Sequence, residues 1–164
     1  MLERLDTSFV TDAIYRVIRE SRGFSLVERS IDPPLRKSYS VSWHELEAAS
    51  AAIVAVSGAA IVGVASLSYE RWNRRAVATH LYVDAAARGQ GVGSRLLHEL
   101  QSRANALGAR SLFVETQNVN LPAIRFYERR GFALVGLDTS LYDPMDTPDE
   151  SALYLVLPLD VRPD

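Results

Sequence analysis

The 164-residue chain contains no cysteine. Disulfides, thiolate metal sites and any covalent chemistry on sulfur are therefore excluded. Lysine is nearly missing as well: Lys37 stands alone against seventeen arginines, a bias that reads as the base composition of a GC-rich bacterium. No apolar run approaches the ~20 residues of a membrane span, and the opening MLERLDTSF has none of the layout of a secretory signal. A cytoplasmic protein without a membrane partner is expected. A formal charge of −2 supplies no general basic field, so nucleic acid is not an expected partner. His44 and His98 lack companions at metal-ligand spacing, and no metal is expected. The length suits one domain, residues 1–164, with a single substantial core.

The most informative segment that is present is Arg88-Gly89-Gln90-Gly91-Val92-Gly93, between a strand-like apolar run and an amphipathic helix. Glycines at alternate positions turn the backbone tightly and leave no side chain between its N–H groups and a ligand. The first turn of a helix carries unpaired N–H donors and the positive end of the macrodipole. Such a turn suits a pyrophosphate, and Arg88 puts positive charge at its lip. A nucleoside-triphosphate loop would need Lys-Ser/Thr after its glycines, whereas Ser94-Arg95 follows here. A dinucleotide fingerprint would need its third glycine where Ser94 falls. What is left is Arg-x-x-Gly-x-Gly, a turn suited to a phosphorylated cofactor.

Periodicity and turn residues predict the elements around it. Residues 13–20 and 24–31 read as a hairpin about Ser21-Arg22-Gly23, although Val10, Ile14, Val17 and Ile18 also fit a helix. Asp32-Pro33-Pro34 is expected to end whatever precedes it. Residues 51–56 and 60–69 predict two antiparallel strands about Ser57-Gly58, and 77–84 a third that runs into the glycine loop. Residues 91–107 predict a helix with Val92, Leu96, Leu100, Ala104 and Leu107 on one stripe and Gly108 beyond its end. Residues 110–115 predict a buried strand. Asn120 suits an N-cap, with Leu121-Pro122 in the first turn of a short helix carrying Ile124, Phe126 and Tyr127. Residues 132–137 and 152–159 predict two closing strands. The order implies an α/β sandwich on a mixed sheet.

Several stretches now coincide. LYVDAAARGQGVG, the helix after it and ETQNVNLPAIRFYERRGF resemble, at matching spacing, the GNAT superfamily of acetyl-coenzyme A-dependent N-acetyltransferases. More narrowly, LDTSF, RGF, DPPL, WNRR, ETQNVNLPAIRFY, GFALVGLDTSLYD and ESALY resemble streptothricin (nourseothricin) acetyltransferases, in the same order and over most of the chain. The resemblance implies a three-layer α/β sandwich whose mixed sheet is splayed at its centre, with acetyl-CoA as cosubstrate. It implies that Arg88, Gly89, Gln90, Gly91, Val92, Gly93 and Ser94 hold the pyrophosphate, and that the pantetheine arm pairs with main chain near Leu81 and Val83. A splayed strand exposes N–H and C=O groups that an extended amide arm satisfies as an added strand would. A main-chain N–H there would also polarise the thioester carbonyl. The implied reaction is direct transfer, in a ternary complex, to a small cationic amine, with a streptothricin-type antibiotic the sharpest choice of acceptor. A protein or peptide N-acetyltransferase and a non-catalytic acyl-CoA-binding module are the alternatives.

Amine acetylation needs a neutral nitrogen and a proton for the departing thiolate. Tyr127 matches the family's general acid, since a phenol near ~10 stays protonated beside a thiol near ~8.5. Its other reading is a core aromatic packed with Phe126 and Phe132. Asn118 and Asn120 suit turn and cap positions, and Asn120 also matches a pantetheine contact. Glu115 matches a family carboxylate that takes a proton through water or holds a cationic amine; its other reading is an exposed strand-end acid. Streptothricin acetyltransferases tend to carry acidic side chains where this chain has Thr79, His80 and Tyr82. His80 could compensate as general base, titrating near neutrality, or simply pack. Residues 131–159 lack lysine and arginine but hold Asp138, Asp143, Asp146, Asp149 and Glu150, either a field that draws in amines or a solvated loop. Family members normally carry a strand and a helix before the position of LDTSF, where this chain has four residues. The N-terminal strand is therefore expected to be missing or short, with its neighbour's edge open or covered in a homodimer, unless the true start lies upstream.

Overall fold

The computed structural model describes residues 4–159. In chain order its elements are β1 (Phe9–Glu20), β2 (Gly23–Lys37), α1 (Trp43–Glu47), β3 (Ala51–Ser57), β4 (Ala60–Glu70), β5 (Arg75–Val83), α2 (Val92–Ala106), β6 (Ser111–Gln117), α3 (Leu121–Glu128), β7 (Ala133–Asp138) and β8 (Ala152–Pro158). Six strands form a mixed sheet in the order β3-β4-β5-β6-β8-β7, and β1 and β2 form a sheet of their own. The chain divides into two compact units, with boundaries inside β6 and β8.

The first unit holds residues 4–8, Ser38–Val114 and residues 157–159. Its valine- and alanine-rich strands pair antiparallel, β3 with β4 from Ala51↔Leu67 to Ser57↔Ala60, and β4 with β5 from Gly63↔Val83 to Glu70↔Arg75. Ser66 faces His80 and Leu67 faces Ala78, so Thr79 is the extra residue of a β-bulge. Beyond it the parallel ladder to β6 is short. It runs only from Arg75↔Ser111 to Ala78↔Val114, while β5 stays paired with β4 as far as Val83.

Helix α2 buries Val92, Leu96, Leu97, Leu100 and Ala104, each leucine contributing about 1.5–3 kcal/mol by its removal from water. The expected stripe holds except at Leu107, which is 38% exposed. The helix ends one residue earlier, and the left-handed turn at Gly108 (φ 75°) carries the chain off that face. Gly63 lets α2 approach β4 closely: a Cβ there would lie 2.9 Å from Leu96 Cδ1, 3.0 Å from the Tyr82 carbonyl oxygen and 3.3 Å from Val92 Cγ1.

The second unit holds Phe9–Lys37 and Glu115–Val156. Its first two strands form the hairpin rather than a helix, and they extend beyond residues 13–20 and 24–31 at both ends. Asp32-Pro33-Pro34 does not end the strand as expected. Ala13 pairs with Ser30 and Thr11 with Leu35, so residues 31–34 sit in an irregularity where a proline forfeits no ladder bond. Asn118, 2% exposed, is bonded on every side. Its main chain donates to Ser151 O (2.9 Å) and accepts from Tyr15 N (3.0 Å). Its side chain donates to Tyr15 O (2.7 Å) and accepts from Ser151 N (2.8 Å). Leu121, Ile124, Leu153 and Leu155 fill the core of this unit. The expectation of a missing first strand falls partly on residues 1–3, which lie outside the described residues. No described helix is long and apolar enough to cross a membrane.

Candidate functional site

In the first unit, β5 leads through Asp84 and a 3-10 turn at Ala85–Ala87 into the glycine loop. Gly89 (φ 74°) and Gly91 (φ 80°) are left-handed, a conformation that costs other L-residues about 1–2 kcal/mol. Gly93 lies inside the first turn of α2. Gly91 is the N-cap and offers no side-chain acceptor, so the helix opens bare, with its first bond from Arg95 N to Gly91 O (3.1 Å). The N–H groups of that opening turn precede the helical ladder and point along the positive end of the dipole. Gln90 turns back to donate to Ala86 O (3.1 Å).

Arg88 does something the sequence did not suggest. Its guanidinium donates to Val83 O (3.0 Å), Ser8 O (2.5 Å) and Asp6 O (3.5 Å). A planar fork suits several carbonyls at once, and it clasps residues 6–8 to the end of β5. Its charge lies beside the loop, but its donors are engaged with the protein's own carbonyls. The Val83 carbonyl, expected to be open to a pantetheine arm, carries one of these bonds.

The bulge at Thr79 re-aims two side chains toward buried Ser66. Ser66 Oγ lies 2.7 Å from His80 Nδ1 and 2.8 Å from Thr79 Oγ1. His80 Nε2 lies 3.8 Å from Glu45 Oε2. Burial pushes the imidazole below its ordinary 6.5, and the Glu45 charge partly opposes this. The Tyr82 ring meets His80 edge-on (6.0 Å) and stacks on Tyr39 (5.5 Å). Ser66, Tyr39 and Glu45 were not legible as site residues. The one available signal was Ser42-Trp43-His44-Glu45, which has the Ser-x-x-Glu spacing of a capping box. The box forms and starts α1.

In the second unit, Asn120 caps α3 by accepting from Ala123 N (3.2 Å). That helix carries Tyr127, 8% exposed, in ring contact with Phe126 (5.4 Å) and Phe132 (5.3 Å). Core packing and a chemical role for the hydroxyl are thus compatible. Glu115, on β6, accepts a hydrogen bond from the Tyr142 hydroxyl, a partner 27 positions away in the chain. Several of the acidic groups in 131–159 have turn or pairing duties. Asp138 accepts from Ser140 N and Oγ, Asp143 from Met145 N, and Glu150 binds Lys37 Nζ at 2.6 and 2.5 Å. A cavity of about 540 Å³ beside Val10, Pro34, Leu121 and Arg125 is lined by none of Glu115, Asn120 or Tyr127. Among the described residues no group of three or more His, Asp or Glu side chains is arranged to hold a metal ion.

A left-handed glycine turn that opens a helix directly after a strand is the arrangement of an α/β fold that can hold a diphosphate at the helix start. The model of the acetyltransferase (GNAT) family matches residues 12–132. The chain is 36% identical to a streptothricin acetyltransferase of Streptomyces lavendulae, covering 96% of this chain and 88% of the relative. It is 31% identical to one of Escherichia coli, covering 93% and 87%. A crystal structure of nourseothricin acetyltransferase matches with a TM-score of 0.89 at 39% identity, covering 97% of this chain and 91% of that one. A Bacillus anthracis structure in complex with acetyl coenzyme A matches with a TM-score of 0.81 at 28% identity, covering 95% and 91%. The chain belongs to the GNAT acetyltransferase family.

Proposed function

We propose that this chain transfers an acetyl group from acetyl-CoA directly to a primary amine of a small cationic molecule, a streptothricin-type antibiotic. The observation that carries the reading is its likeness to streptothricin acetyltransferases across nearly the whole of both chains. Acetyl-CoA fits the residues present: the left-handed glycines and uncapped start of α2 suit a diphosphate, and β5 outruns its parallel ladder where an amide arm would pair. It supplies the acetyl group in activated form, as a thioester.

The main-chain N–H groups of Arg88, Gly89, Gln90, Gly91, Val92, Gly93 and Ser94 hold the pyrophosphate in this reading. Leu81 and Val83 offer main-chain groups to the pantetheine and polarise the thioester carbonyl, and Asn120 adds a side-chain contact. Tyr127 donates its phenolic proton to sulfur as the C–S bond breaks. As the C–N bond forms, His80 or Glu115 accepts the proton that leaves the amine. Desolvation of the half-buried imidazole pushes its pKa down and favours the neutral form a base needs. The reaction is placed in the cytoplasm, without a nucleic-acid or membrane partner. Exposed Val54 and Val56 on β3, an outer strand of the sheet, support a homodimer, for which sedimentation of the purified chain is the check.

Bacteria expressing the chain should grow on nourseothricin, and the purified chain should release one thiol for each antibiotic amine acetylated. Continued sensitivity together with no thiol release from streptothricin would overturn the acceptor assignment. Thiol release with a peptide amine instead would favour a peptide acetyltransferase.

A further inference from the structure

We infer that Glu45 is the carboxylate that selects a cationic acceptor, holding it beside His80. This rests on the acetyltransferase reading above and names a residue outside the resemblance. Strand β5 carries Thr79, His80 and Tyr82 but no carboxylate, so it has no charge of its own to anchor a cation. A carboxylate reaches His80 from another element. Leu46, 3% exposed, packs with Leu5 and Val64 and is flanked by Val41, Ile61 and Tyr82, which seats α1 on the first unit's sheet. Its neighbour Glu45 is thereby delivered to within 3.8 Å of His80 Nε2. That separation is too long for a hydrogen bond and short enough for both groups to reach one ligand nitrogen.

The carboxylate is oriented before any ligand arrives. Ser42 donates to Glu45 Oε2 through its main-chain N–H (3.1 Å) and its hydroxyl (3.0 Å), and Glu45 N donates back to Ser42 Oγ (3.3 Å). Among the described residues every contact of the carboxylate falls on Oε2, so Oε1 is left for a partner from solution. With its side chain 54% exposed, the group is open to solvent. The Ser42 bonds hold its pKa below the ordinary carboxylate value and keep it ionised. The Tyr82 ring, edge-on to His80 and stacked on Tyr39, adds aromatic surface of the kind that suits an organic cation.

The bland account is that Glu45 merely completes a capping box. Glu45→Gln separates the two, because glutamine completes a capping box as well but carries no charge. Steady-state kinetics of the full chain with streptothricin and acetyl-CoA should show a KM for streptothricin raised about five- to tenfold, as expected for one lost charge contact. The kcat and the KM for acetyl-CoA should stay within about twofold of wild type, since the lost contact precedes the chemical step. Added salt should raise the streptothricin KM of the wild type and leave that of the variant nearly flat. An unchanged streptothricin KM in Glu45→Gln, or equal salt dependence of the two proteins, overturns the inference while the acetyltransferase reading stands. A wild-type chain that releases no thiol with any amine overturns both.

Discussion

Gly63→Ala tests how tightly α2 is seated on β4. The added Cβ would stand 2.9 Å from Leu96 Cδ1, 3.0 Å from the Tyr82 carbonyl oxygen and 3.3 Å from Val92 Cγ1, where carbon–carbon contacts are comfortable near ~3.5–4.0 Å. The leucine methyl lies at the end of a rotatable side chain and can move, at some loss of packing because Leu96 is buried. The carbonyl cannot move so cheaply, since Tyr82 is paired with Val64 inside the unbroken stretch from Gly63↔Val83 to Ser66↔His80. Overpacking of this kind costs about 1–3 kcal/mol, which for a chain of this length lowers the melting temperature by roughly 2–4 °C per kcal/mol. A calorimetric drop of about 2–12 °C is expected. In a Leu96→Val background, which removes the nearest methyl, the cost of Gly63→Ala should shrink without vanishing. The strain should also reach Val83, next in the chain to Tyr82, and weaken acetyl-CoA binding several-fold. Unchanged melting, or complete rescue by Leu96→Val, would show that the main-chain contact does not limit the fit.

Arg88→Ala should lower stability by about 1–3 kcal/mol through its bonds to main-chain carbonyls and weaken acetyl-CoA binding; Arg88→Lys should fail to restore either, because an ammonium lacks the fork. Unfolding melts and calorimetric titration measure the two effects, and an unaltered melt would remove the clasp. Tyr127→Phe keeps the ring contacts to Phe126 and Phe132, so acetyl-CoA affinity should hold within about twofold while turnover falls about 10²-fold, as for loss of a general acid. Turnover equal to wild type would exclude Tyr127 as the proton donor. His80, depressed by burial, leaves the folded chain binding fewer protons than the unfolded one as pH falls below 6.5. Its contribution is therefore intact above pH 6.5 and is lost as pH falls toward the depressed folded value. Urea titrations between pH 7.5 and 5.5 should show a shallower loss for His80→Gln, and identical slopes would count against it.

Much of this architecture was readable because its causes are local. The stripe of α2 repeats with the helical period, and the loop needs glycine at two left-handed positions that few other residues tolerate. Legibility failed where the cause was tertiary. Asp32-Pro33-Pro34 looked like a stop, yet a register irregularity absorbs it. Helix α1 spans five residues, too few for a period to show, and only its capping box gave a signal. The charge of Arg88 was visible but not its acceptors, Ser8 and Asp6, about 80 positions earlier. Glu115 and Tyr142 likewise meet only through the fold. The bulge at Thr79 follows from pairing between β4 and β5, so its gathering of Ser66 and His80 could not be read from one strand alone.

The solitary Lys37 has a meaning beyond base composition. A catalyst that keeps activated acetyl in contact with amines risks modifying itself. Here the one lysine nitrogen is gripped by both oxygens of Glu150 at 2.6 and 2.5 Å, and apart from three histidines the other basic chains are arginines, whose guanidinium stays protonated and is no nucleophile. The protein offers its own reagent almost nothing to consume, so the reagent is kept for the guest.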